Sequence, residues 1–261
     1  MRSAIAEKPL AVTCEFCGAT LPVLAQWEEV VIPETCRCAE AVAKREAADL
    51  LFRGKEEREQ AERARRFTNS IRSMFGEMPE KFRDATFENY NVLPFNKTAF
   101  ETAREYSQNL IDQPCSMLFT GTVGTGKSHL AASICNQQIL RGRSVLFGTV
   151  PDLLSRIKST YSDDHESEQE VMSVFYRCSL LVMDDLGKEK VGPWVEEKVY
   201  SIINARYERN LPIVITTNVG LKAVKELYPT NGAAIVSRLY EMCPRGIMLN
   251  GPDYRMTKGR A

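Results

Sequence analysis

Residues 116–140 read SMLFTGTVGTGKSHLAASICNQQIL, and this stretch decides the fold. Ser116–Thr120 is an apolar strand candidate, and Gly121–Ser128 (GTVGTGKS) fits the pattern G-x-x-x-x-G-K-[ST]. Lys127–Leu140 then places Leu130, Ala131, Ile134, Cys135 and Ile139 on one side of a helix. Glycines let a backbone wrap tightly around phosphate with its N–H groups pointing inward, and the next helix adds the positive end of its dipole. The pattern assigns Lys127 to the β and γ phosphates and the Ser128 hydroxyl to Mg²⁺. Strand, glycine loop and helix in this order mark a nucleotide site over Gly121, Thr122, Val123, Gly124, Thr125, Gly126, Lys127, Ser128 and His129.

Downstream the alternation continues. Ser144–Val150, Leu180–Asp184, Ile213–Thr217 and Gly246–Leu249 read as strands, with helices over Asp152–Thr160 and Trp194–Arg206 between them. Such alternation predicts a parallel sheet covered by helices on both faces, an α/β domain. The acidic stretch Ser162–Glu170 reads as an exposed loop or a frayed helix start. LLVMDD, residues 180–185, delivers two carboxylates at the carboxyl end of a strand, the edge where open α/β sheets bind ligands. Asp184 is placed to support Mg²⁺, and Asp185 to orient or deprotonate an attacking water. Asn218, at the tip of PIVITTN, is a candidate partner for the γ-phosphate or that water. Arg238, amid apolar neighbours in a predicted helix Ala233–Met242, is a candidate arginine finger supplied to a neighbouring subunit. Arg255 is a further candidate cation for nucleotide or DNA.

Upstream, two zones differ from this pattern. Residues 1–38 contain Cys14-Glu-Phe-Cys17 and Cys36-Arg-Cys38, two close pairs that suit tetrahedral Zn²⁺. A segment this short builds a weak core, so a metal held by Cys14, Cys17, Cys36 and Cys38 supplies missing folding free energy. Four sulfurs leave no open position, which makes the zinc structural. Unligated or redox cysteines and an iron–sulfur cluster are the other readings. Cys115, Cys135, Cys178 and Cys243 lie among apolar residues and read as buried small hydrophobes. Residues 39–83 are rich in Ala, Glu, Arg and Lys, with a helix predicted over Ala39–Arg66, weakened or broken at Gly54. Leu50, Leu51 and Phe52 are its one substantial apolar patch, and the zone reads as a solvated linker or a partner-binding arm.

The 261 residues carry 34 Lys+Arg against 34 Asp+Glu, a formal net charge of zero, which argues against coating nucleic acid by bulk charge. With 44% hydrophobic and 26% charged residues the chain has ordinary globular composition. No apolar run approaches the roughly 18 residues of a membrane span, and the N-terminus lacks a secretory signal pattern, so the expected setting is a reducing cytoplasm. Any binding of nucleic acid by a chain of zero net charge would need a local basic patch, for which Arg141, Arg143, Arg255, Lys258 and Arg260 are the candidates.

GTVGTGKSHLAASICN, VPDLL, LLVMDDLGKEK, INARYERNLPIVITTN, SRLYEM and GPDYR together resemble the DnaC/DnaI type of AAA+ helicase-loader ATPase, and FRDATFENYNV resembles that family's lead-in. The resemblance implies an AAA+ P-loop fold over 84–261, a zinc-binding domain over 1–38 and a helical linker or partner-binding arm over 39–83. It implies ATP, Mg²⁺ and Zn²⁺ as cofactors, and a hexameric replicative DNA helicase and single-stranded DNA as partners, with the chain oligomeric on the helicase and no membrane role. Lys127, Ser128, Asp184, Asn218 and Arg238 take the family's Walker A, Walker B, sensor and arginine-finger roles. Asp185 stands where typical AAA+ proteins carry Glu, one methylene longer, which implies slow turnover. After Arg238 only about two dozen residues remain, too few for a helical lid. Two alternatives stay open: an IstB-type transposition helper ATPase, and a nucleotide-gated adaptor with negligible hydrolysis.

Overall fold

In the computed structural model, residues 12–27, 30–110, 115–162, 166–244 and 246–257 are described. Contacts group the chain into two compact units divided between Glu62 and Arg63. The expected zinc module and the first part of the linker fall in the first unit.

That unit contains two short antiparallel pairs, β1 (Val12–Thr13) with β2 (Thr20–Leu21) and β3 (Val23–Trp27) with β4 (Val30–Pro33). They are followed by α1 (Ala39–Phe75), one continuous helix that extends beyond the expected Arg66 and passes through Gly54 without a break. The extension has a packing cause inside the second unit. Phe67, Ile71, Met74 and Phe75 recur at helical spacing and join its hydrophobic core, with Ile71 only 5% exposed. The Leu50–Phe52 patch does not pack among the described residues, where these side chains are 62–77% exposed. Three consecutive positions span too much of a helix's circumference to share one face.

The second unit continues with α2 (Glu80–Arg83), α3 (Lys97–Asn109), β5 (Met117–Gly121), α4 (Lys127–Leu140), β6 (Val145–Thr149) and α5 (Val150–Ser159). After them come α6 (Glu168–Arg177), β7 (Leu180–Leu186), α7 (Pro193–Glu208), β8 (Ile213–Thr217), α8 (Leu221–Leu227), α9 (Gly232–Met242), β9 (Gly246–Leu249) and α10 (Tyr254–Thr257). The strands form one parallel sheet in the order β6-β7-β8-β5-β9. Both faces are buried, and the period of two along a strand shows why. Leu180 and Val182 belong to the core under α3 and α4, whereas Leu181 and Met183 belong to the core under α5, α6, α7 and α9.

One expectation changes here. Glu168–Arg177, whose first three residues lie inside the acidic stretch, is an ordered helix whose start is fixed by a capping box between Ser167 and Glu170. Its Val171, Met172, Val174 and Phe175 are buried. The sheet's base is tied by Arg206, a fully buried guanidinium that donates to the carbonyls of Phe175, Cys178 and Pro212. Cys135, Cys178 and Cys243 are buried as expected, but Cys115 is only half-buried. Among the described residues, no helix is long and apolar enough to cross a membrane.

Candidate functional site

Parallel strands bring their carboxyl ends to one edge of the sheet, so β5, β7 and β8 deliver Gly121, Asp184–Asp185 and Thr217–Asn218 to neighbouring positions. Three glycines of the loop, Gly121, Gly124 and Gly126, have positive φ, and the last two show what it is for. Gly126, at φ 96°, is the N-cap of α4, and a Cβ there would strike the Tyr90 ring. Gly124, at φ 76°, lies so close to Asp253 that a Cβ would overlap its carboxylate. The loop is thus enclosed from both sides of the sequence. Tyr90 donates to the Thr125 carbonyl at 3.3 Å, and the chain leaving β9 returns along the loop. Thr122 N–H donates to Leu249 O at 3.1 Å, and Tyr254 N–H donates to Gly124 O at 3.0 Å. The Thr122 hydroxyl both donates to Gly251 O (2.9 Å) and accepts from Gly251 N–H (3.1 Å).

Lys127 is 5% exposed, and its ammonium donates to Gly121 O at 2.9 Å and Thr122 O at 2.6 Å. Burial pushes its pKa down, opposed by the nearby carboxylates of Asp185 and Asp184. Asp184 is 2% exposed, and burial pushes its carboxyl up, against hydrogen bonds from Thr216 and Ser128 that hold it down. The Thr216 hydroxyl donates to Asp184 Oδ1 at 2.5 Å and accepts the Asp185 N–H at 2.9 Å. A buried acid bonded to the Thr216 hydroxyl, with the hydroxyl of Ser128 acting on the same carboxyl, is a donor set that suits a hard divalent cation such as Mg²⁺.

Asp185 lies within an irregularity in the β7–β8 pairing and has a left-handed backbone at φ 61°. Aspartate tolerates that region better than most residues, and its cost is commonly stored at functional sites. The turn re-aims the side chain toward Asn218, whose Nδ2 donates to Asp185 Oδ1 at 3.3 Å, and toward Lys188, whose ammonium meets Oδ2 at 2.5 Å. Thr216 and Lys188 escaped the reading of the sequence. The only signals were a threonine two residues before Asn218 and a lysine three residues beyond Asp185.

Other expected residues are placed differently. Val123 is exposed at the loop's tip. His129 Nε2 contacts Thr86 O at 3.1 Å and Asn89 Oδ1 at 3.0 Å, joining α4 to the lead-in segment, and burial pushes its pKa down. Arg238 is not brought to the loop. Its guanidinium donates to Asn204 Oδ1 (2.6 Å) and Tyr200 OH (3.2 Å), and it lies over the rings of Tyr200 and Tyr207. Arg255 is brought near: it pairs with both oxygens of Asp253 at 3.0 Å, which pushes its pKa up, with Asp185 adding to the effect. Arg141 and Arg143 donate to the carbonyls of Ser107, Gln108 and Leu110, so they cap the end of α3. Lys258 and Arg260 lie outside the described residues.

In the first unit, ligand sulfurs of Cys14, Cys17, Cys36 and Cys38 all lie within 4.8 Å of one another. Cys14 and Cys38 are 3.8 Å apart, and Cys17 and Cys36 are 3.4 Å apart. A tetrahedron of thiolates at the Zn–S distance has edges of roughly 3.8 Å, so the four residues fit zinc. Gly18, at φ 71°, closes the first knuckle by donating to Cys14 O at 2.9 Å. Arg45 on α1 donates to Cys36 O at 2.5 Å and fixes the second.

A family model described as IstB-like ATP binding protein matches residues 37–261. The protein named replicative helicase loader DnaC of Escherichia coli (strain K12) is 30% identical over 174 residues, 66% of this chain and 70% of that protein. The crystal structure of the DnaC helicase loader superposes with a TM-score of 0.58 at 24% identity, over 66% of this chain and 99% of that one. The crystal structure of DnaI gives 0.55 at 22% identity, over 67% and 93%. At these identities the two structures speak for the fold.

Proposed function

The chain belongs to the family of IstB-like ATP binding proteins, and from that membership we propose that it is an ATP-dependent loader of a replicative DNA helicase onto single-stranded DNA. The observation that carries the reading is the meeting of Lys127, Ser128–Asp184 and Asp185–Asn218 at one sheet edge, in a chain 30% identical to a protein named helicase loader. Lys127 leaves the loop carbonyls for the β and γ phosphates, to which the loop's N–H groups donate. Ser128 and Asp184 hold Mg²⁺, which neutralises charge on those phosphates. Asn218 and Asp185 orient a water, and Asp185 takes its proton as the oxygen bonds to the γ-phosphorus and the bond to the β–γ bridging oxygen breaks, leaving ADP and phosphate.

The carboxylate of Asp185 is shorter than a glutamate and tied to two partners, which supports slow turnover. Arg238, distant from its own chain's loop, serves a neighbouring subunit's phosphates in an oligomer assembled on the helicase. Cys14, Cys17, Cys36 and Cys38 hold a structural zinc, and the protein works in the bacterial cytoplasm. The deciding experiment mixes the full chain, with ATP, with the host's replicative helicase and measures helicase bound to single-stranded circles. Helicase deposition that requires the chain and fails with Lys127→Ala is the expected result. Association with a transposase and none with the helicase would reverse the reading.

A further inference from the structure

Four exposed lysines lie on two segments that pack together, the loop after β7 and α8. Gly187 places this loop in van der Waals contact with the start and end of the α8 segment: a Cβ there would lie 3.4 Å from the side chains of Leu227 and Val219. Buried Glu189 clamps the same loop, accepting the Gly187 N–H at 3.0 Å and the Tyr228 hydroxyl. With Glu189 turned inward, Lys188 and Lys190 on either side are exposed. Lys222 and Lys225, three apart on α8, share a face of the helix and are exposed too. Among the described residues Lys190, Lys222 and Lys225 have no ion-pair partner, and Lys188 pairs only with Asp185.

On these two segments four lysines stand against two carboxylates that are not buried, Asp185 and Glu226, in a chain whose net charge is zero. No large hydrophobic residue is exposed on either segment. Lysine is depleted from protein–protein contacts, whose buried centres are apolar or aromatic, whereas a lysine cluster without exposed apolar surface suits a chain of phosphates.

We propose that Lys188, Lys190, Lys222 and Lys225 bind the phosphodiester backbone of single-stranded DNA, and that a phosphate captured by Lys188 releases Asp185. The second half rests on the ATPase reading above. While Lys188 holds Oδ2 and Asn218 holds Oδ1, the carboxylate cannot turn toward a water without breaking one contact. The Lys188 side chain is 52% exposed, so its ion pair is weak enough for a nucleic-acid phosphate to exchange with. The DNA phosphate and the Asp185 carboxylate then compete for one ammonium, and the strand acts as the trigger by freeing Asp185 for the water.

Two measurements on the full chain test this. Fluorescence anisotropy of a labelled oligothymidylate, followed over a salt series, compares the wild type with Lys190→Ala/Lys222→Ala/Lys225→Ala. The triple variant is expected to bind about tenfold more weakly, with the slope of log affinity against log salt shallower by about 2, since each single-strand phosphate contact contributes roughly 0.7. Unchanged affinity and slope, or tighter binding to duplex of the same length, overturns the site. Phosphate release by Lys188→Ala is expected to rise about two- to fivefold without DNA, the range set by an exposed ion pair, and to lose its response to the oligonucleotide. Lys188→Arg, which keeps the pair, should behave as the wild type. Release by Lys188→Ala at the wild-type rate with the DNA response intact overturns the coupling and leaves the ATPase reading standing. If no variant releases phosphate although all bind ATP, hydrolysis and coupling both fall, while anisotropy still decides the DNA site.

Discussion

Thr216 and Thr217 offer a matched pair for weighing the buried acid. Both are fully buried on β8, and each hydroxyl makes two hydrogen bonds. Thr217 donates to Leu186 O at 2.7 Å and accepts the Val219 N–H at 3.2 Å, whereas Thr216 donates to the Asp184 carboxylate. Replacing either by valine keeps the shape and leaves buried groups unpaired, at about 1–3 kcal/mol in total for Thr217→Val. A hydrogen bond to a charged group contributes about 1.5–3 kcal/mol against about 0.5–1.5 for a neutral one. Thr216→Val should therefore cost about 1 kcal/mol more than Thr217→Val where Asp184 is ionised. Burial holds the Asp184 carboxyl above its ordinary value, so the folded form binds the proton more tightly than the unfolded chain, and stability falls as pH rises through that raised value. The charge-assisted part of the Thr216 bond runs the other way: it is present above the raised pKa and lost as pH falls through it. Urea unfolding of both variants at a series of pH values from neutral down to about 4 reads the difference directly. Equal and pH-independent costs for the two valines would refute the assignment of Thr216 as the donor to an ionised Asp184.

Other outcomes follow from the same geometry. Lys127→Ala should abolish binding of a fluorescent ATP analogue, whereas Arg238→Ala should bind it normally and lose turnover or assembly, read by phosphate release and light scattering. Gly124→Ala places a methyl group into Asp253 at a positive φ, and should weaken nucleotide binding by calorimetry while the far-UV spectrum stays unchanged. Elemental analysis should find one zinc per chain, lost in Cys17→Ser, and chelation should lower the melting temperature of the first unit's transition. Ile71→Ala should destabilise the second unit by about 2–5 kcal/mol in urea, because its side chain is 5% exposed within the core.

The elements legible in the sequence were those with a strong local pattern. The helix beginning at Lys127, the strand Ile213–Thr217 and the strand Gly246–Leu249 lie where apolar periodicity places them. α3 and α8 were not anticipated: α3 buries mainly Ala99, Ala103, Tyr106 and Ser107, and α8 only Val224, so neither shows a wide apolar stripe. The end of α1 was invisible because its contacts are with residues distant in sequence. At the site, glycines and acids announce themselves by type and order, but Thr216 and Lys188 matter through which neighbour they meet. Asp185 meets Lys188 because its backbone is left-handed, a property no propensity assigns to it.

The return of the chain from β9 along the glycine loop has a consequence for how this molecule breathes. β9 is an edge strand whose described ladder is with β5 alone, and edge strands are where local opening starts at low cost. Here the residues just past that strand are bonded to Thr122 and Gly124, so peeling the edge away also unfastens the phosphate cradle. Fraying and ligand affinity become two readings of one equilibrium. Nucleotide that grips the cradle should then slow amide exchange in β9, and any tether or fusion that tugs on residues 250–257 would pull on the cradle itself.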